Sequence, residues 1–215
     1  MTQREAALAG KITPAMENAA RHEGLPPEAI RGGLVRGTLV VPANREHQGL
    51  KPIAIGTGVK VKINANIGTS PHDVSLEKEL AKLDAALRYG ADAVMDLSTG
   101  GDLDEIRTAL LARCPVPFGT VPIYQVMTEA KSIEEVKGDW FLDMVHHHAQ
   151  QGVDFATVHC GVTREALPLL KRRVTGVVSR GGAFLVAWMR RHRRQNPLFE
   201  YYDRLLDIAK AYDVT

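Results

Sequence analysis

The chain has 215 residues, of which 45% are hydrophobic and 24% are charged, and its formal net charge is +2. This composition is typical of a globular protein with a substantial core, and the near-neutral charge argues against a nucleic-acid or membrane partner. The two cysteines, Cys114 and Cys160, are too far apart in sequence to form a Cys-x-x-Cys pair. No apolar run reaches about 18 residues, and the N-terminus has no apolar signal core. We therefore expect a cytoplasmic protein.

Three short helices are predicted before residue 40. Each starts at threonine or proline and stops at glycine, and they cover residues 2–10, 13–24 and 26–33. These residue types favour helix starts and helix ends, respectively. The third helix is expected to close at Gly32 and Gly33. We predict an N-terminal helical segment over residues 1–50 and a second region over residues 51–215.

From residue 60 onward, apolar runs alternate with helical patterns. The predicted strands cover residues 60–67, 93–97, 116–124, 155–159 and 176–179. The predicted helices cover residues 76–89, 103–113, 140–151, 165–172, 182–193 and 198–212. Strands that alternate with helices at this spacing predict βαβ units and a parallel sheet.

Both a doubly wound open sheet and a β/α barrel fit this alternation. An open sheet that binds nucleotides often carries a glycine-rich phosphate loop after its first strand. Here the first strand ends in Asn64-Ala65-Asn66-Ile67-Gly68, which is not such a loop. A barrel places polar residues at the C-terminal end of every strand, as this sequence does, and we therefore favour a barrel.

The predicted strand ends supply candidate binding residues. Ser179, Arg180 and the glycines that follow form a candidate phosphate cradle, because glycine lets backbone N–H groups approach and arginine supplies charge. Asn66 and Tyr124 offer neutral hydrogen bonds, and His159 can donate or accept near neutral pH. Taken one at a time, polar residues at strand ends are also explained by the turns that begin there, and His159 can be a core histidine. Together they predict a site for a small phosphorylated molecule.

Two clusters of basic or titratable residues and one cysteine are expected to have no functional role. The run His146-His147-His148 cannot bind one metal, because consecutive helical residues point about 100° apart, and we expect it on a solvated helix face. The basic residues at 190–194 are expected at a solvated helix end. Cys114 lies at a helix-to-strand turn, opposite the predicted site, and we expect a structural role for it.

Several long motifs, in the same order along the chain, resemble those of the phosphomethylpyrimidine synthase family. They occupy residues 62–68, 90–101, 119–125, 152–159 and 178–182, with an opening match at residues 41–44. The resemblance implies an α/β fold: N-terminal helices followed by the first five β/α units of a (β/α)8 TIM-like barrel. It also implies a usually dimeric enzyme whose substrate is held at the strand ends. The substrate-binding residues carried over by motif are Asn66, Met95, Tyr124, His159, Ser179, Arg180 and Gly181.

The family resemblance implies a reaction of thiamine biosynthesis. Its members convert the aminoimidazole ribotide 5-amino-1-(5-phospho-D-ribosyl)imidazole to 4-amino-5-hydroxymethyl-2-methylpyrimidine phosphate. They use S-adenosylmethionine, a [4Fe-4S] cluster and zinc. A sister family, 5-hydroxybenzimidazole synthase, starts from the same ribotide and makes a cobamide precursor. The motifs leave this second product open as an alternative.

The chain also departs from the family pattern. In the family, an Asp-Gly-Leu-Arg motif, a glutamate, two zinc-binding histidines and a C-terminal Cys-x-x-Cys-x-x-x-x-Cys motif follow the matching region, and this chain contains none of them. The ligands for the cluster and for zinc are therefore missing from these residues. We expect an incomplete barrel that is inactive by itself. The alternatives are a non-catalytic remnant and one half of a split enzyme.

Overall fold

The structure is a computed structural model that describes residues 1–215. Its N-terminal part holds three helices and a small antiparallel pair of strands. These elements are α1 (Gln3–Leu8), α2 (Pro14–Glu23), α3 (Pro27–Arg36), β1 (Leu39–Val40) and β2 (Ile55–Gly56). Thr2 caps α1 through a reciprocal pair of hydrogen bonds with Glu5, as its residue type predicts.

The third helix is longer than predicted. It runs through Gly32 and Gly33 and ends at Gly37, which has a left-handed φ of 69°. Gly33 is inside the helix because Leu39 packs against its backbone: a Cβ at Gly33 would lie 2.4 Å from the Leu39 side chain. The prediction that Gly32 and Gly33 close the helix is therefore wrong. Gly33 serves close packing rather than termination.

The larger part of the chain alternates strands and helices. The strands are β3 (Asn64–Ile67), β4 (Ala93–Asp96), β5 (Phe118–Thr120) and β6 (Phe155–Ala156). The helices are α4 (Leu76–Arg88), α5 (Leu103–Arg113), α6 (Pro122–Glu129), α7 (Gly138–Gln151), α8 (Arg180–His192), α9 (Pro197–Glu200) and α10 (Tyr202–Tyr212), with a 3-10 segment at Arg164–Arg172. The four strands are all parallel, in the order β3-β4-β5-β6.

The predicted α/β class with a parallel sheet is confirmed, but the sheet has four strands and is not a closed barrel. The predicted strand at residues 176–179 is wrong. Val178 is 76% exposed, and the edge of β6 is occupied instead by Thr215. The backbone of Thr215 donates to Asp154 at 2.9 Å and accepts from Ala156 at 3.0 Å.

The predicted strand at residues 116–124 is also too long. Only Phe118–Thr120 pair with neighbouring strands, and Pro122 begins α6. Proline suits the first turn of a helix because its φ is already helical and it has no N–H to satisfy. Tyr124 therefore lies in the first turn of a helix rather than at the end of a strand.

The apolar side chains pack into three groups. One joins α1–α3 with β1, and a second places α4 and α5 against one face of the sheet, around Val94 and Phe118. The third joins α6–α10 around Trp188. None of the helices is both long and apolar enough to cross a membrane. The division of the chain into two domains at residue 50 stays a prediction.

Candidate functional site

A cavity of about 540 Å³ lies at the C-terminal ends of the strands. The loops after β3 and β4 form one wall, and helices α6 and α8 form the other. Its lining residues are Ser70, Pro71, His72, Thr99, Tyr124, Met127, Thr128, Arg180 and Phe184. Two of the predicted site residues, Tyr124 and Arg180, therefore line the same cavity.

The guanidinium of Arg180 lies over the ring of Tyr124. The Arg180 Cζ atom is 5.5 Å from the ring centroid, within the range of a cation–π contact. Arg180 is the first residue of α8 and is exposed to solvent. The cavity therefore presents a positive charge beside an aromatic face.

The first turn of α8 also contacts His159, which follows β6. Ser179 caps α8, and its Oγ accepts a hydrogen bond from the Gly182 N–H at 3.2 Å. The same Oγ lies 2.8 Å from His159 Nε2. The opposite ring nitrogen, Nδ1, is buried without a hydrogen-bond partner. Burial lowers the pKa of His159, so the neutral ring prevails at pH 7.

Gly181 lets the first turn of α8 approach this histidine closely. A Cβ at residue 181 would lie 2.3 Å from His159 Cε1, closer than any real contact. Any larger residue would therefore push the imidazole away from Ser179.

Asn66 and Met95 lie elsewhere on the sheet. They are register partners on β3 and β4, and neither lines the cavity. Asn66 is exposed and accepts a hydrogen bond from Asn64, while Met95 is half-buried against the apolar group that α6–α10 form. The seven predicted residues thus form a cavity pair (Tyr124 and Arg180), a cluster around His159 and a pair on the sheet. Their role in substrate binding stays a prediction.

A buried polar network beneath α6 was not predicted from the sequence. Arg107 and Gln125 are 2% and 3% exposed and contact each other, and Gln125 also contacts His148, which is buried as well. The expectation that residues 146–148 share a solvated face is therefore wrong for His148. The apolar spacing of Phe141 and Val145 continues to His148 at i, i+4 and i+7, and this pattern could have identified the buried face.

The two cysteines lie at opposite ends of the sheet. Cys114 is buried before β5, where burial raises its thiol pKa to about 11, and Cys160 is half-buried after β6. No group of three or more His, Cys, Asp or Glu residues converges in a way that could hold a metal ion. An iron–sulfur cluster needs several thiolates close together. The residues of this chain therefore do not fit an iron–sulfur cluster or a zinc ion.

The model of the Radical SAM ThiC family matches residues 2–215. A phosphomethylpyrimidine synthase from Desulforudis audaxviator is 51% identical over 220 residues, which cover 100% of this chain and 51% of the relative. A phosphomethylpyrimidine synthase from Desulforamulus reducens is 50% identical over 221 residues, with the same coverage. The chain spans about half the length of these curated relatives. It belongs to the Radical SAM ThiC family.

Proposed function

We propose that this chain supplies substrate-binding residues for the conversion of aminoimidazole ribotide to hydroxymethylpyrimidine phosphate. The observation that carries the proposal is the cavity in which Arg180 and Tyr124 meet at the strand ends. Its volume is in the range of pockets that hold small molecules. Both relatives are named for the pyrimidine synthase, and this favours the thiamine product over hydroxybenzimidazole.

The phosphate of the ribotide would bind at the first turn of α8. Arg180 carries a charge that can form two parallel hydrogen bonds to a phosphate. The first backbone N–H groups of a helix have no partner within the helix and carry a partial positive charge. Arg180 and Gly181 supply such groups, with the Ser179 hydroxyl beside them.

The remaining predicted residues would contact the ribose and the imidazole. His159 would contribute its imidazole ring, whose buried Nδ1 has no hydrogen-bond partner within the protein. Asn66 contributes an exposed amide, and Met95 contributes a thioether one strand away. These residues would approach the ligand if the four-stranded sheet is part of a β/α barrel. The barrel's other strands would lie in the half of the relatives that this chain does not span.

The same proposal includes the cofactors of the family. S-adenosylmethionine and a [4Fe-4S] cluster agree with its description as radical SAM. Zinc, a homodimer and a cytoplasmic location are further parts of the proposal. The cluster and zinc would require ligands from outside residues 1–215.

The binding role is tested by titrating aminoimidazole ribotide into the chain and into Arg180→Ala by calorimetry. Loss of a charge-assisted hydrogen bond is expected to weaken binding about ten- to a hundredfold. Arg190→Ala, at the other end of α8, is the matched control and should leave the dissociation constant unchanged. An unchanged dissociation constant in Arg180→Ala would place the phosphate elsewhere.

A second ligand distinguishes loss of the phosphate contact from a general loss of ligand affinity. The aminoimidazole riboside lacks the phosphate but keeps the rest of the molecule. Arg180→Ala should leave its weak binding unchanged. If the chain binds neither compound, the proposed function is wrong for these residues.

A further inference from the structure

We propose that Gln125 is a positioning residue that holds Tyr124 beneath Arg180 in the cavity. Gln125 follows Tyr124 in the first half of α6 and is buried, whereas Tyr124 faces the cavity. The inference rests on the proposed function, because it concerns the same cavity. It assigns a task to a polar network that does not itself touch the cavity.

All the hydrogen-bonding groups of the Gln125 amide are engaged. Its Oε1 accepts from Arg107 and from His148 Nε2, the latter at 2.9 Å. Its Nε2 donates to Asp104 at 3.0 Å and to Glu129 at 2.6 Å. A cation therefore faces the oxygen and two carboxylates face the nitrogen. The reverse orientation would set donors against donors and acceptors against acceptors, so the amide has one stable orientation.

The partners of Gln125 come from α5 and α7, apart from Glu129 on α6 itself. Arg107 and Asp104 lie on α5, and they pair with each other at 3.0 Å. His148 lies on α7 and connects Gln125 to the sheet, because its Nδ1 is 2.8 Å from the Thr120 hydroxyl on β5. The first half of α6 is thus tied to two helices and one strand.

The His148 contacts also determine its protonation. Since the Gln125 oxygen can only accept, His148 must carry its proton on Nε2, and Nδ1 must accept from the Thr120 hydroxyl. Burial and the nearby Arg107 charge lower the pKa of His148 well below its usual value, which keeps this neutral form. The chain of hydrogen bonds from Thr120 to Gln125 therefore has a single direction.

The network is more elaborate than packing of α6 requires. Val126 and Ile123 already bury the apolar face of this eight-residue helix. A buried polar network can add a unique geometry, and here the Gln125 amide, with every hydrogen-bonding group engaged, fits only one set of partners. The residue whose position depends most directly on that geometry is Tyr124, which contacts Arg180 across the cavity.

The test uses Thr120, because replacing Gln125 itself can unfold the chain. Thr120→Val keeps the shape but removes the hydroxyl that donates to His148, whereas Thr120→Ser keeps the hydroxyl. The ribotide dissociation constant should rise about three- to tenfold in Thr120→Val, the effect of one lost hydrogen bond. It should return to the original value in Thr120→Ser. In protein that remains folded, Gln125→Met should weaken ribotide binding more than Thr120→Val does. Gln150→Met, which replaces an exposed glutamine on α7, is the control.

A ligand-free measurement distinguishes this inference from the proposed function. The Tyr124 ring should shift the NMR signals of the Arg180 side-chain protons, with Tyr124→Leu as the reference. Thr120→Val should move those signals toward the reference in protein that remains folded, and Thr120→Ser should not. Unmoved signals in Thr120→Val would overturn the positioning role. A moved signal in a chain that binds no ribotide would uphold positioning and refute the proposed function.

Discussion

The two ends of the parallel sheet use similar polar side chains in opposite ways. At the N-terminal ends of β5 and β6, Asp154 is completely buried. Its carboxylate accepts hydrogen bonds from the backbone N–H groups of Asn44 and Phe118 and from His47 Nδ1, at 2.7–2.9 Å. His47 Nε2 donates in turn to the Cys114 carbonyl at 2.8 Å. This end of the sheet satisfies its own polar groups.

The C-terminal ends of the strands are different. Arg180 is exposed and faces a cavity, and His159 keeps a ring nitrogen without a partner. Polar groups that the protein satisfies internally stabilise the fold, whereas groups that it leaves open are free to bind a ligand. The contrast therefore agrees with a stabilising role for the N-terminal end of the sheet and with the proposed ligand binding at the C-terminal end. Four experiments test this division, and they are arranged from the largest expected effect to the smallest.

The largest effect concerns the cysteines, which the sheet separates. Because Cys114 precedes β5 and Cys160 follows β6, the two thiols cannot ligate one cluster. Treatment of the 215-residue chain with iron and sulfide should give no [4Fe-4S] absorption and no 5′-deoxyadenosine from S-adenosylmethionine. Addition of the unmatched half of the Desulforudis audaxviator relative, as a separate chain, should restore both. Formation of 5′-deoxyadenosine by the chain alone would refute the claim that its two cysteines cannot ligate a cluster.

The second experiment replaces Asp154, the carboxylate on which the polar groups at the N-terminal end of the sheet converge. Asp154→Ala removes the hydrogen-bond partner of the buried His47 ring and the acceptor for two backbone N–H groups. Breaking a buried pair in this way costs about 3–5 kcal/mol. The free energy of unfolding, measured by urea denaturation, should fall by that amount. Asp207→Ala, at an exposed site on α10, is the control and should change it little; equal effects would mean that Asp154 is not a stabilising centre.

The sequence predicted the local features of both regions and missed the long-range ones. The Thr2 cap and the alternation of strands and helices depend on neighbouring residues, and both are confirmed. The boundary at Pro122 was missed because a short apolar run fits a strand or a buried helix equally well. The bond between His47 and Asp154 joins residues 107 positions apart, and no local pattern indicates it. Residues 176–179 have strand-like composition, but strand formation also needs a free sheet edge.

The third experiment adds a methyl group at the close contact between Gly181 and His159, at the C-terminal end of the sheet. In Gly181→Ala the new methyl group must displace the His159 ring, because it would lie 2.3 Å from the ring. Overpacking of this kind destabilises a protein by about 1–3 kcal/mol. Thermal denaturation should show this loss, and ribotide affinity should fall with it. Gly161→Ala is the control, since a Cβ there meets nothing within 4 Å. Unchanged ribotide affinity in Gly181→Ala would exclude His159 from the site.

The last experiment tests the N-terminal end of the sheet through its pH dependence. Burial alone lowers the pKa of His47, but the hydrogen bond and charge of Asp154 and the Cys114 carbonyl outweigh it, so the pKa is raised above 6.5. A raised pKa in the folded state means that the stabilisation is complete below pH 6.5 and is lost as the pH rises through the folded-state value. The Cys114 thiol, with a pKa of about 11, stays protonated throughout.

The free energy of unfolding should therefore decrease as the pH is raised above 6.5 through the folded-state pKa of His47. Since a single proton is involved, the slope cannot exceed about 1.4 kcal/mol per pH unit. His47→Gln should remove this decrease, whereas His72→Gln, an exposed cavity residue, should retain it. Urea denaturation at a series of pH values measures the free energy of unfolding of the original chain and of both variants. A decrease that persists unchanged in His47→Gln would show that the buried pair at the N-terminal end is not charged, and that its hydrogen bonds stabilise the fold without the imidazolium.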